Sequence, residues 1–251
     1  MIAPHGTQAD MPAMFIADLH LCATQTATTR AFEAFVAGPA RNAGRLYILG
    51  DLFEYWAGDD DLAEPYHHHI AQQLLALTRH GTAVHFVAGN RDFLIGERFC
   101  AATGVALATE PVHIALGART AVLLHGDVLC TDDHAYQAFR NQVRDPNWQT
   151  AFLARPLAER RAIIENVRAH SEAGKREKAA DIMDVNEAAV IAAFRHAGCD
   201  LMIHGHTHRP ATHHHTVDDA ACERWVLSDW HGTAPYLTWS EGVLRREMLS
   251  P

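Results

Sequence analysis

The sequence predicts an α/β protein with a helical insertion over its sheet. Three observations carry this expectation. Short apolar runs of strand length alternate with stretches of helical periodicity, as in layered α/β folds. Residues 131–197 hold no convincing strand and read as several helices. Five of the apolar runs end in Asp, Asn or His, at the strand ends where α/β folds build their sites.

Taken in order, residues 14–17 form the first apolar run and lead to Asp18. Phe32, Phe35 and Val36 recur at helical spacing, which predicts a helix over 28–43. Residues 46–49 read as a strand closing on Gly50-Asp51, 65–79 as a helix, and 84–88 as a strand before Gly89-Asn90. Residues 112–116 and 120–124 are spaced as a hairpin whose second strand meets His125. The helical stretch from about 131 to 197 follows and holds both lysines of the chain, Lys175 and Lys178. It is expected to be an insertion cap on the core. Residues 201–203 then lead into His204-Gly205-His206, and 225–227 and 236–239 complete the strands. Residues 1–13 are expected to form an N-terminal extension, with 14–251 a single domain.

Composition narrows the function. The 251 residues are 48% hydrophobic, enough for a sizeable core. A formal charge of -9 argues against a non-specific nucleic-acid binder. The five cysteines, Cys22, Cys100, Cys130, Cys199 and Cys222, are scattered with no CxxC pair, which fits a reducing cytoplasm. No leader-like segment opens the chain, and no apolar run approaches the ~20 residues of a membrane span. Histidine is abundant, at 19 residues, and imidazole is a common metal ligand.

The chemistry lies in the order of the strand ends: Asp18-Leu19-His20, Gly50-Asp51, Gly89-Asn90, His125-Gly126, and Gly205-His206-Thr207-His208. Each alone is a common turn or cap. Five in succession, each after an apolar strand, point to a site of oxygen and nitrogen donors suited to Mn²⁺, Fe²⁺, Zn²⁺ or Mg²⁺. Glycine before Asp51, Asn90 and His206 is expected to let the backbone turn sharply. The one-residue spacing of Asp18/His20 and of His206/His208 is expected to put each pair on one side of an extended segment.

This ordered set resembles the calcineurin-like metallophosphoesterase superfamily. The resemblance implies a sandwich of two central sheets flanked by helices, and two metal ions. One ion would take Asp18, His20, Asp51 and His208; the other would take Asp51, Asn90, His125 and His206. Two motifs depart from the commonest superfamily pattern. Glu54 ends Gly50-Asp51-Leu52-Phe53-Glu54, and Arg91 stands in Gly89-Asn90-Arg91-Asp92 where histidine is usual. Arginine does not release a proton, so Arg91 suits a leaving group that is already a good anion, such as the phosphate of a diphosphate bond.

Longer stretches resemble the UDP-2,3-diacylglucosamine pyrophosphohydrolases of lipid A biosynthesis. They include residues 15–22, 46–53, 89–94, Cys130-Thr131-Asp132-Asp133, 136–140, 182–186 and 203–210. The resemblance implies hydrolysis of UDP-2,3-diacylglucosamine to UMP and 2,3-diacylglucosamine 1-phosphate, by attack of water on the α-phosphorus, with Mn²⁺ as the usual metal. It implies Asn90, Arg91 and His206 as catalytic residues. The same three, with Asp133, Tyr136, Arg168, Ser171, Lys175 and Lys178, are implied as substrate contacts. It also implies a cytoplasmic enzyme in peripheral contact with the inner membrane, without an obligatory protein partner. Arg155, Arg160, Arg161 and Arg168, beside Leu157, Ile163, Ile164 and Val167, form a basic amphipathic stretch that suits either an anionic membrane surface or packing against neighbouring helices. Residues 67–69 and 213–215, both His-His-His, are expected at the exposed surface. Two other readings stay open: a pyrophosphatase acting on a non-lipid UDP-sugar or nucleoside polyphosphate, and a scaffold that binds metal without turnover.

Overall fold

The computed structural model describes residues 12–175 and 184–249, with the side chains of 170–175 outside that description. Eleven described strands form two sheets. The first sheet has the order β11-β10-β1-β2-β3-β4. Here β1 is Ala13–Ile16, β2 Arg45–Leu49, β3 Ala83–Val87, β4 Ala106–Ala108, β10 Ala234–Ser240 and β11 Val243–Leu249. Strands β1 to β4 run parallel, and β10 and β11 join as an antiparallel edge. The second sheet has the order β5-β6-β7-β9-β8, from Val112–Leu116, Arg119–Leu123, Leu201–His204, Ala220–Val226 and Thr212–Val217.

Side-chain alternation explains the layering. Ala13, Phe15 and Ala17 of the first sheet meet Leu123, Leu201 and Ile203 of the second in a dry seam. Met14 and Ile16 face the other way, onto α1 (Thr26–Ala37), α2 (Pro65–His80) and α3 (Glu97–Thr103). Val122 and Met202 of the second sheet face α7 (Glu187–Ala197). Strands buried on both faces carry apolar residues at every position, which is why β1, β2 and β7 read as uninterrupted runs.

Several sequence expectations need correction. The first helix ends at Ala37, because Gly38 and Pro39 stop it and only a short 3-10 turn, Pro39–Asn42, follows. The short α3 and β4 lacked a readable period. The histidines of 213–215 lie within β8 and are only partly solvent-facing, except exposed His214. His67 is buried at 4% exposure, its ring set among Phe53, Trp56 and Tyr66.

The insertion between β6 and β7 supplies α4 (His134–Arg144), α5 (Pro146–Leu153), α6 (Leu157–Lys175) and α7. Three arginines of α6 meet acids or carbonyls of the core. Arg160, 2% exposed, binds the Ala57 carbonyl and Asp60, while Arg161 binds Asp61 and Arg168 binds Glu54. These three side chains dock α6 on the 54–61 loop, so of the two readings of the basic stretch, packing within the protein accounts for them. Phe152 is buried in the adjoining apolar core, stacked on Trp148 at 4.8 Å. No described helix is long and apolar enough to cross a membrane.

Candidate metal centre

The parallel strands of both sheets end along one edge, and the candidate ligands sit there. Backbone bonds hold the loops together: Asp18 N–H donates to Gly50 O at 3.1 Å, His20 N–H to Asp51 O at 3.0 Å, and Gly205 N–H to His125 O at 2.8 Å. Asp18, His20, Asp51, His206 and His208 all have positive φ, from 49° to 69°. Each such residue carries a Cβ and costs about 1–2 kcal/mol in that region. Strain of this kind collects where a site dictates the backbone. The Asp18/His20 and His206/His208 pairs therefore converge through left-handed turns, and the extended geometry expected from their spacing is corrected.

The glycines also act differently from expectation. Gly50 does turn the chain, at φ +86°. Gly89 and Gly205 serve close approach instead: a Cβ would lie 2.1 Å from Asp51 Oδ1 at Gly89 and 2.3 Å from Asp18 Oδ2 at Gly205.

The seven candidate side chains gather in two adjoining groups. His20 Nε2 and His208 Nε2 face each other at 3.3 Å, and Asp18 Oδ1 lies 3.5 Å from His208 Nε2. Asn90 Oδ1 lies 3.0 Å from His125 Nε2 and 2.9 Å from His206 Nδ1. Asp51 stands between the groups, with Oδ2 at 3.9 Å from His20 Nε2 and Oδ1 at 3.7 Å from His125 Nε2. Asp18, His20 and His208 offer donor atoms within 4.8 Å of one another, and so do Asp18, Asp51 and His125. Asp18 thus reaches both groups.

These residues fit a cation. Asp18 Oδ1 is buried and has no hydrogen-bond partner, an arrangement that is costly for a bare carboxylate oxygen. Burial pushes the Asp18 carboxyl up, yet His208, His125 and His20 together draw it below its ordinary value. Burial works against charge on His125 as well, but Asp51, Asp127 and Asp18 raise it to about 9. Burial and His125 hold His206 down at about 4. The acids that surround these imidazoles also favour a cation, which His125 would bind after losing its proton.

A supporting layer was not legible in the sequence. Asp92, wholly buried, accepts N–H groups from Leu52 at 2.7 Å, Gly89 at 2.9 Å, Asp51 at 3.3 Å and Phe53 at 3.4 Å. It ties the Asp51 loop to the Asn90 loop. Glu110 accepts the His125 N–H at 3.0 Å and pairs with Arg140 at 2.6 Å. Arg140 also reaches Asp127 at 2.8 Å, and Arg144 caps Gly89 O at 2.9 Å. Helix α4 of the insertion therefore braces the centre.

Of the residues implied as substrate contacts, Asn90 and His206 are in the centre. Arg91 joins its edge, its N–H donating to Asp51 Oδ1 at 2.9 Å and its guanidinium 3.8 Å from Glu54. Tyr136 packs beside His206, at 5.8 Å between rings, and donates to Asp127 at 2.6 Å. Asp133 caps α4, accepting the Tyr136 N–H at 3.1 Å. Arg168 faces Glu54. The Ser171 and Lys175 side chains and Lys178 lie outside the described residues.

Comparison with known proteins places this arrangement. A family profile described as calcineurin-like phosphoesterase matches residues 11–210. A protein of Aromatoleum aromaticum named UDP-2,3-diacylglucosamine hydrolase is 56% identical over 229 residues, covering 91% of this chain and 93% of that one. A protein of the same name from Escherichia coli strain CFT073 is 48% identical over 221 residues, covering 88% and 92% respectively.

Proposed function

The chain belongs to the calcineurin-like phosphoesterase family, and from that membership we propose that it hydrolyses the diphosphate bond of UDP-2,3-diacylglucosamine. The products are UMP and 2,3-diacylglucosamine 1-phosphate, in lipid A biosynthesis. The observation that supports the reading is the gathering of the seven donor side chains in two adjoining groups, with Asp18 Oδ1 buried and without a hydrogen-bond partner.

Asp18, His20, Asp51 and His208 would hold one divalent cation, and Asp51, Asn90, His125 and His206 the other. Donors of oxygen and nitrogen without sulfur suit Mn²⁺. Two such cations, when bound, neutralise phosphate oxygens and lower the pKa of a water. The water oxygen bonds to the α-phosphorus and gives up its protons to solvent, the bond from that phosphorus to the bridging oxygen breaks, and the electron pair leaves on the sugar phosphate. That leaving group needs no proton at neutral pH. Arg91, fixed through its N–H to Asp51, is placed to stabilise developing negative charge and has no proton to transfer.

Arg168 and Tyr136 reach the centre from the insertion, and they are proposed to bind the substrate there, with Asp133, Ser171, Lys175 and Lys178 on the same segment. Contact with the cytoplasmic face of the inner membrane follows from the lipid substrate. It is supported by Phe139, Leu153 and Val167, insertion side chains exposed at 37%, 40% and 42%.

Hydrolysis of UDP-2,3-diacylglucosamine beside UDP-glucosamine, with Mn²⁺ or with EDTA, tests the reading. The acylated substrate should be strongly preferred, and EDTA should stop turnover until Mn²⁺ is restored. Equal rates on the two substrates would refute the lipid assignment, and turnover in EDTA would refute the metal.

A further inference from the structure

The two groups of candidate ligands differ in what stands behind them. His20 Nδ1 lies 3.1 Å from Glu54 Oε2, and His208 Nδ1 lies 3.2 Å from Asp229 Oδ2. Both imidazoles of the first group thus turn one nitrogen to the centre and the other to a carboxylate. Each carboxylate is tied to the ligand loop by the backbone. Glu54 N–H donates to Leu21 O at 3.1 Å, next to His20. Trp230 N–H donates to Asp18 O at 3.1 Å, and the Trp230 side chain is buried against Phe35, which fixes Asp229 one residue away.

The second group has weaker backing. His125 Nδ1 donates to a backbone carbonyl, Leu49 O, at 2.9 Å. His206 has no carboxylate partner among the described residues. Asp127, an acid of the same end of the insertion, accepts from Tyr136 at 2.6 Å and from Arg140 at 2.8 Å, so its charge is already compensated.

A carboxylate behind a ligating imidazole fixes its tautomer and raises its basicity, and losing such a partner typically costs about 10–100-fold in metal affinity. We infer that the two cation positions are unequal, the Asp18/His20/His208 position binding more tightly because Glu54 and Asp229 stand behind its imidazoles. The chain would load its metals in sequence. The inference rests on the two-metal reading above. Glu54 is shared with Arg168 and Arg91, whereas among the described residues Asp229 has exposed His231 as its second ion-pair contact, so Asp229 is the cleaner probe.

Calorimetric titration of the metal-free full chain with Mn²⁺ tests this, with the free ion counted by electron paramagnetic resonance. The wild type should show two events separated by about tenfold or more. Asp229→Asn should weaken the tighter event by about tenfold and leave the weaker one in place. Glu54→Gln provides a second, independent variant with the same expected direction, should the first not fold. Two equal events in the wild type, or a variant that shifts both events alike or neither, would overturn the inequality while the two-metal reading stands. No bound Mn²⁺ at all would overturn both.

Discussion

Asp92→Ala removes the carboxylate that joins the Asp51 loop to the Asn90 loop. Two of its four acceptor contacts are short, Leu52 N at 2.7 Å and Gly89 N at 2.9 Å, and they use different oxygens. A buried N–H left without a partner costs about 1–3 kcal/mol, so these two alone represent about 2–6 kcal/mol. An opposing effect must be subtracted. Burial and the nearby Asp51 raise the Asp92 carboxyl to about 7, so deleting it also relieves desolvation and repulsion. The net loss is therefore placed at the lower end, about 2–3 kcal/mol, a large part of a typical domain stability of about 5–15 kcal/mol. Urea unfolding of the metal-free protein measures the stability, and Mn²⁺ titration of the same sample measures the centre. The variant should unfold earlier and bind Mn²⁺ more weakly. An unchanged midpoint with unchanged binding would refute the role given to Asp92.

Asp51→Ala removes the side chain that stands between the two ligand groups; turnover should vanish and metal content should fall, and near-normal rates would refute its shared role. Arg91→Ala should lower kcat by about 10²–10³ with little change in metal content; an unchanged kcat would undo the leaving-group argument. Burial pushes the Asp61 carboxyl up, but His67 and Arg161 outweigh it and hold the pKa below its ordinary value. A depressed carboxylate adds stability above its unfolded pKa of about 3.9 that is lost as pH falls through the folded value. Asp61→Asn should accordingly flatten the acid side of the stability-versus-pH curve, and an identical acid limb would contradict the docking role of the Arg161–Asp61 pair.

Strands β1, β2, β3, β6 and β7 were legible because apolar layers cover both of their faces. Strand β8 was not, because Thr212-His213-His214-His215 hides its alternation behind polar side chains. The candidate ligands showed themselves as polar residues at strand ends. Their geometry did not, since spacing suggested extended pairs while Asp18, His20, His206 and His208 adopt left-handed turns. Glu54 and Asp92 stood within the two departing motifs, but their roles as supports did not show, and Glu110 left no signal, because an acid in a loop has no period and its partner lies far along the chain. Arg160, Arg161 and Arg168 belonged to a basic stretch that suited either a membrane surface or packing against neighbours; the folded position of the 54–61 loop shows the acids they meet.

Anomalous diffraction from crystals grown with Mn²⁺ tests the central claim most directly. Two peaks are expected, about 3.5–4 Å apart on either side of Asp51. One should be bounded by Asp18, His20 and His208, and the other by Asn90, His125 and His206. Absence of any peak there, or a cation seated elsewhere on the chain, would contradict the account.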